Sequence, residues 1–198
     1  VKTALESAGI TDDGGVVATL SAGTTTATVL TDIDAATTGT TDASAITDIS
    51  GTAVEVAAVV AGDITTGNYT STLSGTSSAA NANTVMNDTA GIVTATVTAT
   101  GAVSTLNTAL GNASATDALT MVLDATTASA AELNTLNGKT SVNINATSIA
   151  DISSSTADAV NTMVTNITEI GLDGNWNVTL SDTTLSAAEV KTINVGTS

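Results

Sequence analysis

The sequence predicts an α/β repeat solenoid in which short parallel strands alternate with short helices. Three observations predict this class: a recurring stretch of sequence, runs of alternating β-branched residues, and hydroxyl–acid pairs that mark helix starts. When residues 118–141 are set against residues 175–198, at an offset of 57, eleven of the 24 positions are identical. Composition alone would produce about two or three identities, so the chain contains a true repeat.

The repeat extends upstream as two alternating types, A and B. Each A repeat has a leucine after a strand-like stretch, and thirteen residues later an aliphatic residue followed by Asp or Asn; the leucines are Leu20, Leu73, Leu123 and Leu180. Two B repeats share the pattern Ile-x-Asp-Ile-Ser, at 46–50 and 149–153. The predicted organisation is a lead-in or link to a preceding repeat at 1–15, then A-B-A-B-A-B-A at 16–39, 40–68, 69–91, 92–118, 119–141, 142–175 and 176–198.

Each repeat is predicted to hold a strand, a turn and a helix of two to three turns. The strand pattern is clearest at 94–100, where threonine alternates with alanine or valine. Helix starts are predicted where a hydroxyl residue precedes an acid by three positions, at Thr52/Glu55, Ser129/Glu132, Ser186/Glu189 and, more weakly, Ser155/Asp158. Apolar pairs three residues apart, Leu133/Leu136 and Val190/Ile193, predict one buried stripe on each helix.

One strand and one short helix cannot bury an apolar face alone, but stacked repeats can. We therefore expect leucine-rich-repeat-like stacking, with parallel strands pairing from repeat to repeat and helices lining the other side. The competing prediction is a doubly wound α/β domain, which also alternates strand and helix. Helices of only two to three turns, and repetition of the side chains themselves, favour the solenoid.

The composition excludes several classes of function. The 198 residues include 3 Lys+Arg and 19 Asp+Glu, for a formal net charge of −16, and there is no Cys or His. The chain therefore has no thiol or imidazole for catalysis, no usual zinc ligands and no disulfide. Three basic residues make no surface for nucleic acid, and no apolar run approaches the ~18 residues that span a bilayer. We predict no enzyme activity, no nucleic-acid partner and no membrane insertion.

Acidic residues are the only candidate metal ligands. Asp32 and Asp34 are the best candidates for a Ca²⁺ site, with Asp12/Asp13 and Asp48/Asp151 as further oxygen donors. The alternative interpretation is that these acids are solvated turn residues and helix caps, in which case the chain has no cofactor.

The threonines of the predicted strands suggest a second candidate site, an ice-binding surface. Thr19, Thr72, Val122 and Thr179 are expected to form one column of the solenoid, and a flat threonine face suggests ice binding. The valine in the column and the intervening B repeats make this array irregular, and threonine is in any case a good strand former.

Three phrases carry a resemblance to a known family: residues 179–190, residues 128–141, and residues 42–53, which read Asp-Ala-Ser-Ala-Ile-Thr-Asp-Ile-Ser-Gly-Thr-Ala. They look like repeat regions of giant secreted and cell-surface proteins of marine cyanobacteria, of the swimming-motility surface protein type. The resemblance implies an extracellular or cell-surface location and a structural role without enzyme activity. The calcium-binding glycine-rich nonapeptides of such proteins do not occur in this sequence.

The last residues, Thr197 and Ser198, match Thr140 and Ser141, after which a B repeat follows. We therefore expect either adjoining repeats of a longer chain or copies that stack head to tail. The predicted function is an extracellular structural protein that forms or extends a surface fibre, sheath or layer. The alternative is an adhesin or phage-fibre segment that binds a glycan or, less readily, ice.

Overall fold

In the computed structural model, which describes residues 15–196, the chain is an α/β protein of parallel strands and short helices, as the sequence predicts. It divides into two compact units, one ending at Thr96 and the other beginning at Val97. We call them the N-terminal and C-terminal units. The predicted lead-in at 1–15 lies almost wholly outside the described residues, as do Asp12, Asp13, Thr197 and Ser198.

The N-terminal unit contains three successive strand–helix segments. Its elements are β1 (Ala18–Thr19), β2 (Gly23–Thr26), α1 (Ala27–Ala35), β3 (Thr41–Ala43), β4 (Ile46–Thr52), α2 (Ala53–Ala61), β5 (Ile64–Thr66), β6 (Ser71–Ser78) and α3 (Ala79–Asp88). The first four residues of β7 (Val93–Ala99) lie beside β6. Each segment therefore has two strands before its helix, whereas the sequence pattern predicted one.

The strands of this unit pair in parallel from segment to segment. β1, β3 and β5 lie side by side, with Thr41 paired to Ala18 on one side and to Ile64 on the other. β2, β4 and β6 form a second row in the same way. A short turn separates the two strands of a segment, and in the second segment the Asp42 carboxylate accepts the Ser44 N–H at 3.0 Å to close it.

The C-terminal unit also alternates parallel strands and helices, but most of its helices follow a single strand. It holds the end of β7, α4 (Val103–Ala109), β8 (Ala118–Leu123), β9 (Thr127–Ala128), α5 (Ala130–Asn137), β10 (Asp151–Ser155), α6 (Ala157–Thr165), α7 (Ile167–Ile170), β11 (Asn177–Leu180) and α8 (Ala187–Gly196). β10 lies between β9 and β11, and Ile152 pairs in parallel with Ala128 and with Val178. A bulge interrupts the β10–β11 pairing before Ser155, and Ser154 there has a φ of 45°.

Three of the four predicted helix starts are confirmed. Thr52/Glu55 and Ser129/Glu132 form complete capping boxes, and Ser186 and Glu189 exchange the same pair of contacts at the start of α8. The prediction of Ser155/Asp158 is wrong, because Thr156 caps α6 by accepting the Ala159 N–H. Ser155 is instead buried, and its hydroxyl accepts the Ala130 N–H at 2.8 Å from the preceding segment.

The core is built from small and branched aliphatic side chains. The first, fourth and seventh residues of several helices are fully or almost fully buried: Ala27, Leu30 and Ile33; Ala53, Val56 and Val59; Ala130, Leu133 and Leu136; and Ala157, Val160 and Met163. Spacings of three lie along one helix face, so these four helices bury the single stripe that the sequence predicted. The stripe is incomplete in α8, where Ile193 is buried but Val190 is exposed.

Threonine hydroxyls connect neighbouring segments at the point where the chain enters the next strand. Thr37, Thr89 and Thr140 each donate to a backbone carbonyl of the preceding segment and accept the N–H two residues further on. We call these three residues the threonine bridges. Gly91, two residues after Thr89, is needed for close approach, because a Cβ there would lie 2.0 Å from the Tyr69 carbonyl oxygen.

Candidate functional site

The candidate site is the outer surface of the last described segment, formed by β11 and α8. Two shallow depressions of about 220 and 370 Å³ lie on this segment. Val178, Leu180, Leu185 and Val190 line the first. Lys191 and Thr192 line the second together with Val164 of α6, so this depression lies between α6 and α8. Leu185 and Val190 are 40% and 49% exposed, so a continuous patch of aliphatic surface faces solvent. We call Val178, Leu180, Leu185, Val190 and Lys191 the α8 face.

Equivalent positions of the repeat can be compared between this face and the preceding segments. Val190 corresponds to Leu133 at the offset of 57 and Leu185 to Ala128, which are 0% and 5% exposed. In the segment of Leu133, α6 packs against α5. Among residues 15–196 no further segment packs on the far side of α8. The same repeat position is therefore core in one segment and surface in the other.

The backbone shows the same difference. β11 is an edge strand of the sheet in which β10 is central. On its inner side, the Asn177 N–H donates to the Ala150 carbonyl at 2.8 Å and the Ser181 N–H donates to the Ser155 carbonyl at 2.9 Å. An edge strand carries a row of peptide groups that a further parallel strand can pair with.

Asparagine side chains hold successive helices of this unit together. The fifth residue of α4, Asn107, donates from its amide to the Glu132 carbonyl of α5 at 2.9 Å. The fifth residue of α5, Asn134, donates in the same way to the Ala159 carbonyl of α6, also at 2.9 Å. Both contacts run from the fifth residue of one helix to the third residue of the next. The fifth residue of α8 is an exposed lysine, Lys191, so this face presents a charged donor at the same place.

The electrostatics of the α8 face are mixed. Hydrogen bonds from the side chain and the backbone N–H of Ser186 hold the pKa of Glu189 below its usual value, which favours the ionised carboxylate in the first turn of the helix. Two residues further on, Lys191 is one of only three basic residues in a chain of net charge −16. A positive group next to aliphatic surface is therefore exceptional in this protein.

The structure does not assemble the predicted metal ligands into a cluster. Asp32 is exposed and Asp34 half-buried on α1, and side chains two residues apart on a helix point about 200° apart. Asp48 accepts from the Thr70 hydroxyl at 2.8 Å, and Asp151 accepts from the Asn177 amide at 3.1 Å. Within residues 15–196 there is no group of three or more acidic side chains placed to hold a metal ion. The Ca²⁺ site at Asp32 and Asp34 stays a prediction.

The structure does not place the predicted threonine column in one row of strands. Thr19 lies in β1 and pairs with Asp42, which pairs in turn with Thr65. Thr72 lies in β6, in the other row of strands. The prediction fails because each segment of this unit has two strands, so that Thr19 and Thr72 join different rows.

Sequence reasoning did not find the threonine bridges or the asparagine contacts. A partial signal for the former was present, since Thr-x-Gly occurs at two of the bridges, 37–39 and 89–91, although it also occurs at 65–67 and is absent at Thr140. A signal for the latter was the asparagine at the fifth residue of α4, α5 and α6, at intervals of 27. Both signals become visible only when the helix starts are known to within one residue.

Comparison with protein-family models, with curated proteins and with solved structures finds no match. None of the helices within residues 15–196 has the length and hydrophobicity that a membrane-spanning helix needs.

Proposed function

We propose that this protein is an extracellular structural repeat protein that forms or extends a surface fibre, sheath or layer by end-to-end stacking. The strand–helix segments are the coils of a leucine-rich-repeat-like solenoid. The observation that carries the proposal is the pair of repeat positions Leu133 and Val190, of which one is core and the other is surface. A repeat that buries this position only when another coil follows is suited to extension.

The spacing of the parallel pairs supports the solenoid. In the N-terminal unit, paired residues are 22 to 24 positions apart, as in Gly51 with Leu73 and Thr24 with Asp48. In the C-terminal unit, Asp151 pairs with Thr127 and with Asn177, at separations of 24 and 26. A nearly constant step with a fixed strand direction is what quasi-one-dimensional stacking requires.

Composition supports a mechanical role in place of a catalytic one. Carboxylates are the only groups in the chain that could act as acid or base near neutral pH, since His and Cys are absent. The high negative charge suits a surface exposed to water and to dissolved cations. The extracellular location is proposed from this composition and from the resemblance of the repeat phrases to cell-surface proteins.

One observation favours the alternative, an adhesin or fibre segment that binds a glycan. A polar cleft of about 220 Å³ in the C-terminal unit is lined by Asn137, Thr140, Ser141, Asn143 and Glu169. Amides, hydroxyls and a carboxylate can hydrogen-bond sugar hydroxyls. No aromatic side chain lines the cleft, and the Asn137 amide already donates to Glu169 at 3.1 Å.

Negative-stain electron microscopy of the purified chain, with Ca²⁺ and with a chelator, tests the proposal. We expect fibres of uniform width, and a requirement for Ca²⁺ would assign a role to the acidic residues. Monomeric particles in both conditions would contradict end-to-end stacking. A glycan that raises the unfolding temperature of such particles would support the adhesin instead.

A further inference from the structure

We infer that the α8 face binds the first described segment of a second copy of this chain, with Lys191 of one copy against Asp32 of the other. The inference rests on the proposed function and deepens it by naming the surface and the partner. The α8 face continues an interface that the chain already makes between α5 and α6 and between β9, β10 and β11. The surface that best fits it is therefore another segment of the same design.

The first described segment carries the matching apolar surface. Val29 on α1 is 46% exposed, and Val16 and Val17, just before β1, are also exposed. Five of the eight large exposed aliphatic side chains of the described residues lie in the first or last described segment: Val16, Val17, Val29, Leu185 and Val190. Burying aliphatic surface from both partners favours association. The two sets are different surfaces, so the contact is heterologous and repeats from copy to copy.

The register of the contact follows from the asparagine contacts. Inside the C-terminal unit, the fifth residues of α4 and α5 reach the third residues of α5 and α6. Lys191 is the fifth residue of α8 and Val29 the third residue of α1. Asp32 lies one turn after Val29, on the same side of α1. In this register the ammonium of Lys191 lies near the Asp32 carboxylate, which gives the contact a favourable charge pair between two strongly acidic chains.

Three exposed sites allow a direct test by sedimentation velocity at physiological ionic strength. Val190→Asp blocks the α8 face, and Val29→Asp blocks the exposed surface around Val29 on α1. Both substitutions lie within about the first turn of a helix, where an acidic side chain is tolerated. Each variant alone should lose all species larger than the monomer. An equimolar mixture should form a two-copy complex and nothing larger, because each variant keeps one intact surface.

Val122→Asp is the matched control, since Val122 is 62% exposed on β8 and lies outside the α8 face. This variant should assemble like the unaltered chain. Lys191→Glu should weaken assembly by more than about tenfold, because it places like charges together. Combining Lys191→Glu with Asp32→Lys should restore most of the loss. Circular dichroism checks that each variant is folded.

The outcomes separate the inference from the proposed function. If the unaltered chain assembles and Val190→Asp assembles equally well, the α8 face is not the contact, while end-to-end stacking through another surface survives. If the equimolar mixture of Val190→Asp and Val29→Asp forms species larger than two copies, the contact is not the heterologous one described. If the folded, unaltered chain shows only monomers, both the inference and the stacking function are overturned.

Discussion

The hydroxyl of Thr89 lies against the backbone of Tyr69, twenty residues earlier, and satisfies both of its peptide groups. It accepts the Tyr69 N–H at 3.0 Å and donates to the Tyr69 carbonyl. It also accepts the Gly91 N–H at 3.0 Å. Thr140 makes the same two contacts with Leu119 in the C-terminal unit, at 3.0 and 3.1 Å. A buried side chain therefore replaces a strand hydrogen bond at the junction of two segments.

Replacing Thr89 with valine keeps the shape and removes the hydroxyl. The Tyr69 and Gly91 N–H groups would then lack their acceptor, and an unsatisfied buried donor is costly. We expect Thr89→Val to lower the free energy of unfolding by about 2 kcal/mol, measured by urea denaturation. Thr84 is the control, because it is exposed on α3 and its hydroxyl donates only within the helix, to Ala80 at 3.1 Å. Equal losses for Thr84→Val and Thr89→Val would contradict the role of the bridge.

Gly91→Ala tests the close approach of neighbouring segments. The added Cβ would lie 2.0 Å from the Tyr69 oxygen and 2.6 Å from its carbonyl carbon, so the backbone must move. We expect destabilisation of about 3 kcal/mol, at the upper end for overpacking, seen as a lower urea midpoint. In Gly62→Ala the nearest atom is at 3.5 Å, an ordinary contact. A similar loss in both variants would show that the general properties of glycine, and not the contact with Tyr69, are responsible.

The repeat provides a pair of equivalent positions with different environments. Leu133→Ala removes a fully buried side chain and should cost about 2–5 kcal/mol. Val190→Ala, at the matching position of α8, removes a half-exposed side chain and should cost less than about 1 kcal/mol. Both are measured on dilute, monomeric protein. A large loss in Val190→Ala would mean that the α8 face is covered in solution.

Tyr69 should make stability fall in alkali. Burial, the nearby Asp88 carboxylate and a 2.9 Å hydrogen bond to it raise the pKa of the Tyr69 phenol well above its usual range. Because the folded pKa is higher than the unfolded value of about 10, the contribution is complete below pH 10 and is lost as the pH rises towards the folded pKa. Tyr69 is the only tyrosine, so phenolate absorbance follows it directly.

In the folded protein the phenolate signal should be absent at about pH 11, whereas in urea the phenol should titrate near pH 10. Tyr69→Phe separates this contribution from that of the lysines, and its stability should fall less steeply above pH 10. A folded protein whose phenol titrates normally would show that Tyr69 is accessible to water.

Local features of the fold could be predicted from the sequence. A capping box depends on two side chains and one turn of backbone, so Ser129 and Glu132 identify the start of α5 without reference to anything distant. The alternation at 94–100 identifies β7 for the same reason. Both patterns lie within a window of a few residues.

Features that depend on a neighbouring segment were missed. Ser155 resembles a helix cap in sequence, but its hydroxyl accepts a hydrogen bond from the Ala130 N–H, 25 residues away. The division of each N-terminal segment into two strands depends on which row each strand joins, as with β5 beside β3. The α8 face could not be recognised either, because Val190 and Leu133 have the same pattern and differ only in what packs against them.

Backbone hydrogen bonds between neighbouring segments span short stretches of chain, such as Thr70 to Thr47 and Ser141 to Asp117. The entropy lost on closing a loop grows only with the logarithm of its length, and here every loop is about two dozen residues long. No step of folding within a unit has to bring distant parts of the sequence together. Low contact order of this kind favours rapid folding, and order can spread from one segment to the next while the rest of the chain is still being synthesised.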